Sequence, residues 1–392
     1  MSPARTPPRL TTLILLTACS VLTLNMFLPS LAGIAADLDT DYALVSLSVA
    51  LYLAVTAVVQ LVVGPVSDRV GRRPVLLSAL IVFIFASVMC ALADDIWTFL
   101  AFRMVQGGMI AGSALSLAIV RDTNPERKAA SLIGYIAMAM AVAPMLGPMF
   151  GGLLDSAFGW RANFWFYAAA GITLLLLCWV DLGETKVKAA GPRTGMLQET
   201  GELLRTARFW AFSLCMSFST GAFYAFLAGA PLVAAETFGV STATLGLFIG
   251  SITGGFMVGS FLSGRLATRL RPTTLMIAGR CLACAGLMLG LILLLSGLVT
   301  PLTYFGTTIF VGLGNGLTAP SCSAGAMSVR PKLAGTAAGV NGALTVGGGA
   351  VWTSLTGVLI TAGDSAMMLL MIMLTASLIG LFSAVWARRS GA

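Results

Sequence analysis

The stretch GPVSDRVGRRP, residues 64–74, sits between two apolar windows, residues 43–66 and 75–93. Its glycines permit a short connection and close helix approach. Arg69, Arg72 and Arg73 would hold such a turn at a membrane surface, and Asp68 can accept hydrogen bonds at a neighbouring helix end or pair with an arginine. A connection of this kind makes sense only if the flanking windows cross a bilayer, and the whole chain agrees. It has 392 residues, 58% hydrophobic and 10% charged, with a mean hydropathy of +0.95. A soluble protein carries about 25% charged residues and would have no polar coat with this composition. The 44 glycines fall mostly inside apolar runs, as suits closely packed membrane helices.

A spanning helix needs about 20 apolar residues. Windows of that kind cover 10–35, 43–66, 75–93, 97–120, 129–153, 162–181, 209–235, 242–264, 273–296, 301–323, 334–361 and 366–386. Twelve spans are expected, and the first reads as a retained helix, longer than a signal-peptide core. The gap at 182–208 divides the chain into an N-terminal six-helix bundle (1–181), a cytoplasmic linker and a C-terminal six-helix bundle (209–392). With a cytoplasmic N-terminus, the inside segments hold 20 of the 23 Lys and Arg, leaving Arg103, Arg161 and Arg280. The outside loops are acidic, with Asp37, Asp39, Asp41, Asp94, Asp95, Asp155, Glu236 and Asp364. The net charge of +8 is therefore topological and gives no nucleic-acid signal. An even number of spans puts both termini in the cytoplasm. The halves echo each other: Ser67-Asp68-Arg69 follows the second span and Ser263-Gly264-Arg265 the eighth. Six plus six with a weak parallel repeat is the layout of a rocking-bundle transporter.

Several chemistries are excluded. The absence of His removes His-ligated zinc and a Ser-His-Asp triad. No GxxxxGK[ST] motif supports an ATP-driven pump. No enzymatic site, cofactor or metal is expected. The seven Cys lie in apolar runs and read as small core residues.

Polar residues inside spans mark function, because they are costly there. Arg103 lies about two turns inside the fourth span, in LAFRMVQGG (100–108). The fifth carries GYIAMAMAVAPMLGPMFGG (134–152), where glycines including Gly147 make a narrow surface and Pro148 frees a carbonyl. The first carries Asn25 one turn before Pro29. GLGNGLTAPSCSAGAM (312–327) and GTAAGVNGAL (335–344) hold Asn315 and Asn341, which either bind substrate or tie helices together. Arg280 is a second intramembrane arginine.

The 64–74 stretch resembles the signature loop between spans two and three of the major facilitator superfamily. LYLAVTAVVQLVVGPVSDRVGRRPVLL (51–77) and NMFLPSL (25–31) resemble the Bcr/CflA group of bacterial drug:proton antiporters. The resemblance covers the whole chain. It implies an all-α membrane protein, twelve transmembrane helices in two pseudo-symmetric six-helix bundles, in a bacterial inner membrane and functional as a monomer. It implies secondary efflux of small amphipathic drugs or metabolites, amphenicol-like antibiotics among them, in exchange for protons. The alternative is a facilitator or importer of one metabolite without proton antiport. Coupling and gating would fall to Asp68, Arg69, Arg72, Arg103, Arg121, Gly147 and Pro148, with Arg121 the expected partner of Asp68. Substrate would meet Asn25, Tyr52, Gln60, Met138, Tyr224, Asn315 and Asn341. The Bcr/CflA pattern has an aspartate where this chain has Asn25, and an amide exchanges no proton. Three explanations stay open: Asp37, Asp41, Asp68 or Glu236 near span ends carries the proton, a charged or ionisable substrate supplies the coupling, or the protein is a facilitator or weakly coupled exporter.

Overall fold

The computed structural model describes residues 8–124, 126–185, 201, 203–267, 269–330, 334–362 and 364–390; some helical side chains, among them Asp68, Arg121 and Met138, lie outside the described residues. Twelve long helical segments follow one another. Segment 1 joins Leu10–Asn25, a 3-10 turn Leu28–Ser30 and Leu31–Asp37. Segments 2 and 3 are Tyr42–Val70 and Arg72–Ala91. Segment 4 joins Ile96–Gln106, a 3-10 turn Gly107–Met109 and Ile110–Thr123. Segments 5 to 8 are Glu126–Phe158, Arg161–Asp181, Ala207–Glu236 and Thr242–Leu266. Segments 9 to 12 are Pro272–Leu295, Pro301–Ser328, Ala334–Leu359 and Ser365–Arg389.

Among the described residues, ten segments are long and apolar enough to cross a membrane; segments 5 and 10 are the others. Segment 10 is rich in Gly, Thr and Ser and packs against segments 7, 8, 9 and 11. Shielded from lipid, it has no need of an apolar surface, and its small residues let neighbouring backbones approach.

The contacts repeat with a period of six. In the first half, segment 1 packs on 4 and 5, 2 on 4, and 3 on 4 and 6. In the second, 7 packs on 10 and 11, 8 on 10, and 9 on 10 and 12. Between the halves, segment 5 lies along 8 and segment 2 along 11, pairs that the same shift interchanges.

The near end is where segment 1 begins; the far end is opposite. Segments 4, 8, 10 and 12 start at the far end with side-chain caps. Asp95 accepts from the Thr98 N–H at 2.9 Å, Ser241 from Thr244 N–H at 3.3 Å, and Asp364 from the N–H groups of Ala366 and Met367. Thr300 and Thr303 form a reciprocal capping pair. Each cap satisfies orphan donors of a first turn. The Thr98 hydroxyl and the backbone amides nearby hold the Asp95 carboxyl below its ordinary range. Arg161, the basic exception at this end, pairs with Asp37 and lies 3.7 Å from Asp94. Both partners are substantially exposed, so these pairs contribute little stability.

One expectation is corrected. Of the seven cysteines, all free, Cys281 is exposed; one turn from buried Cys284 in a C-x-x-C spacing, it occupies a face of segment 9 turned from the bundle. The other six are buried.

Candidate functional site

The site begins where segment 1 breaks. Its first helix ends at Asn25, and Pro29 enters the following 3-10 turn, where its missing N–H costs no ladder bond. The Asn25 amide Nδ2 donates back to the Val21 carbonyl at 2.8 Å, a local bond that competes with continued helix. Tyr167 of segment 6 donates its hydroxyl to the Leu22 carbonyl at 3.3 Å. The Thr23 carbonyl, in the last turn, accepts from Arg103 Nη1 at 3.3 Å. The break is thus closed by three side chains from three segments.

Arg103 is fully buried. Its Nη1 also donates to Gln106 Oε1 at 2.6 Å, and Gln106 Nε2 donates to Ser87 Oγ at 2.7 Å on segment 3. The guanidinium stands 4.1 Å from the Phe27 ring centre, 4.7 Å from Tyr52 and 5.8 Å from Phe164. Nε and Nη2 have no hydrogen-bond partner, and no carboxylate pairs with Arg103 among the described residues. Facing aromatic rings offset part of the cost of burying the charge. Arg103 thereby gathers segments 1, 2, 3, 4 and 6 around one charge. Gly107, next to Gln106, lets segment 4 press on segment 2: a Cβ there would come within 2.9 Å of the Tyr52 carbonyl.

At the near end, Arg72 Nε donates to Asp122 Oδ2 at 3.1 Å, Nη1 bonds the Ser67 hydroxyl, and its backbone N–H donates to Glu184 Oε1 at 2.9 Å. Arg73 donates to the Trp179 carbonyl at 2.9 Å, and the Arg9 N–H to Asp181 Oδ2 at 2.8 Å. Segments 1, 3, 4 and 6 are stapled together here. Gly71, at φ 116°, makes the turn, and the Glu184 carboxylate occupies the space a Cβ would fill. Arg69 is exposed.

At the far end the halves meet backbone to backbone. A Cβ on Gly152 would collide with the Thr242 carbonyl, and one on Gly246 with the Pro148 carbonyl. Gly147 packs on Leu22 and the Asn25 Cβ. On the opposite flank a Cβ on Gly357 would strike Ser46, and Tyr42 donates its hydroxyl to the Ala228 carbonyl.

Behind this seam lies a cavity of about 220 Å³ bounded by segments 5, 7, 8, 10 and 11. Met140, Pro144, Met216, Phe223, Tyr224 and Phe256 give its apolar wall; Asn315, Ser219, Thr220, Thr253 and Thr345 give its polar groups. No charged residue is among the described residues that line it. Tyr224 and Asn315 are the sequence candidates found there. Tyr52 belongs to the Arg103 cage, Asn25 is turned onto its own helix, and Gln60 lies at the segment 2–11 contact near Gly342. Asn341 is buried one turn from Thr345, with its Oδ1 unpartnered. Met216 and Phe256 drew no notice in the sequence, since an apolar residue facing a cavity carries no mark distinguishing it from one facing lipid. A second, larger cleft of about 780 Å³ opens at the far end, lined by Asp39, Asp41 and Glu236 along with Ala32 and Tyr42. Asp155, also at that end, is half-buried; burial raises its carboxyl above the ordinary range, and the Ser30 side chain acts against that rise.

Replacing Asn25 by Asp is expected to cost about 1–3 kcal/mol, because a carboxylate would face the Val21 carbonyl without a donor. Thermal unfolding of the purified variant measures it; an unchanged melting temperature would contradict the role given to the back-bond.

Comparison with known proteins fits this geometry. The chain is 30% identical to Multidrug resistance protein D of Escherichia coli (strain K12) over 369 residues, 92% of this chain and 91% of the relative. It is 31% identical to Multidrug resistance protein MdtL of Escherichia coli O45:K1 over 368 residues, covering 89% and 91%. An uncharacterized MFS-type transporter of Bacillus subtilis, YdgK, is 35% identical over 261 residues, 65% of either chain. Among solved structures, a bacterial homolog of the human lysosomal transporter Spinster, inward-facing and occupied, superposes with a TM-score of 0.80 over 99% of this chain and 97% of its own, at 18% identity. A D-xylose-proton symporter gives 0.72 over 94% and 97%, at 17% identity. Residues 13–354 match the family described as the Major Facilitator Superfamily. The chain belongs to that superfamily: it is a multi-pass membrane transporter of small molecules, related to bacterial multidrug-resistance members, and not an enzyme.

Proposed function

We propose that this protein exports small amphipathic compounds, with amphenicol-like antibiotics within reach, by alternating access in exchange for protons. The near end is cytoplasmic in this reading, following the basic residues, the membrane is the bacterial inner membrane, and the working unit is the monomer built of residues 1–181 and 209–392. The observation that carries the reading is the cavity between the halves. Its Met and aromatic wall adapts to different apolar shapes, and a few polar groups orient them. The names of the multidrug-resistance relatives point the same way. Arg103 and the near-end staples around Arg72 hold the first half as one body, while the glycine seam opens and closes.

The proton needs a carboxylate. Asp155 has a suitable setting: half-buried, near Ser30 at the segment 1 break, and three residues from Gly152 of the seam. Proteoliposomes with an imposed pH gradient test both parts. Chloramphenicol addition is expected to drive proton movement in the wild type, and Asp155→Asn is expected to abolish the proton signal. Drug movement without coupled proton flux would sink antiport and favour the facilitator reading, to which the uncharged cavity wall lends support.

A further inference from the structure

Arg280 of segment 9 is fully buried and holds its charge without a carboxylate partner among the described residues. Nε donates to Thr318 Oγ1 at 3.2 Å, and Thr318 spends its own proton on the Gly314 carbonyl at 2.7 Å. Nη2 donates to Asn315 Oδ1 at 2.5 Å. Nη1 has no partner. Segment 12 closes the other side, where Gly380 leaves room for the arginine stem.

This geometry settles which way the Asn315 amide is turned. An arginine only donates, so the amide oxygen must face it; the reverse orientation would set N–H against N–H. Asn315 lines the cavity, and the branch left for the cavity is its NH₂. The charge behind it polarises that donor in a medium where fields are little screened. Of the other cavity hydroxyls, Ser219 spends its proton on the Cys215 carbonyl and Thr345 on the Asn341 carbonyl, while Thr253 Oγ1 has no partner. Asn315 is the donor of the wall that a buried guanidinium holds in place, and that neighbouring charge, Arg280, is positive with no carboxylate partner among the described residues.

Building on the reading of this cavity as the substrate site, we infer that Asn315, oriented by Arg280, forms a subsite for an anionic or strongly hydrogen-bond-accepting group. The substrates it selects are amphipaths carrying a carboxylate or a comparable acceptor beside an aromatic body. Lipophilic cations are disfavoured, because they would enter beside buried positive charge with no carboxylate to meet them. Asn315 contacts the substrate; Arg280 is a positioning residue acting through it.

The test is equilibrium binding to the purified full-length protein in phosphatidylcholine nanodiscs, followed by calorimetry. The probes are 4-phenylbutyrate and 4-phenylbutyltrimethylammonium, alike in the apolar part and opposite in charge. Wild type is expected to bind the carboxylate at least about tenfold more tightly. Asn315→Asp pairs its new carboxylate with Arg280, removes the donor and is expected to cancel or reverse the preference. Arg280→Gln is expected to weaken it. A purely structural role for the pair would change the melting temperature and leave the ratio of the two affinities alone. Equal or tighter ammonium binding by wild type, no binding of either probe, or a ratio unchanged in a folded Asn315→Asp protein would each overturn the inference. Export measured separately in proteoliposomes keeps the readings apart: lost export with an intact charge preference counts against efflux alone.

Discussion

Gly246→Leu is expected to abolish transport while leaving a folded, membrane-inserted protein. The glycine faces the Pro148 carbonyl across the contact between the halves, so the added side chain meets backbone and has no rotamer that avoids it. Overpacking costs about 1–3 kcal/mol where side chains can yield, and more is expected against a main chain. A penalty near 3 kcal/mol, charged only to the form closed at the far end, depopulates that form by roughly a hundredfold. Gly152→Leu, against the Thr242 carbonyl, is expected to act alike. Spin labels at Asp94 and Leu298, exposed far-end positions in the two halves, report the separation by pulsed resonance. The distance should lengthen in both variants. An unchanged distance with normal transport would mean that the seam is not the gate.

Arg103→Ala should be equally severe by a different route. It deletes the bonds to Thr23 and Gln106 and empties the cage of Phe27, Tyr52 and Phe164. Hydrogen bonds to charged groups contribute about 1.5–3 kcal/mol each, so a transport loss on the order of a hundredfold is expected. Lys is not expected to rescue it, since an ammonium lacks the planar face that the guanidinium turns toward these rings. Substrate flux in proteoliposomes, normalised to inserted protein, measures this. Intact transport in Arg103→Ala would remove Arg103 from the coupling machinery, and intact transport in Arg103→Lys alone would show that charge suffices without the planar guanidinium.

Much of this molecule is legible in its sequence. Hydropathy marks the segments because the bilayer imposes length and apolarity on each of them. The basic connections and the echo of Ser67-Asp68-Arg69 in Ser263-Gly264-Arg265 mark the halves. Segment 5 extends beyond its expected window to Glu126 and Phe158, and segment 2 runs on through the signature stretch to Val70, because helical hydrogen bonding continues past the apolar core. Sites read less well. Asn25 attracts attention as a polar group in a greasy helix, yet its amide serves the backbone four residues back. Sequence shows that a residue is polar, while the direction it faces depends on where the helix breaks. Arg280 and Asn315 both stand out, but their pairing across 35 residues depends on the register of segments 9 and 10, which composition leaves open. Asp155 reads as one more loop carboxylate until its burial against Ser30 is known.

The far-end seam has one more implication. It is built mainly from main chain against main chain, at glycines, with only uncharged hydroxyl contacts such as Ser156 to Thr242 beside them. Such a closure recognises shape alone and is blind to the cargo it seals in. Residues of the cavity wall can therefore change over evolutionary time without retuning the door, and a single gating frame can be handed on among transporters with different appetites.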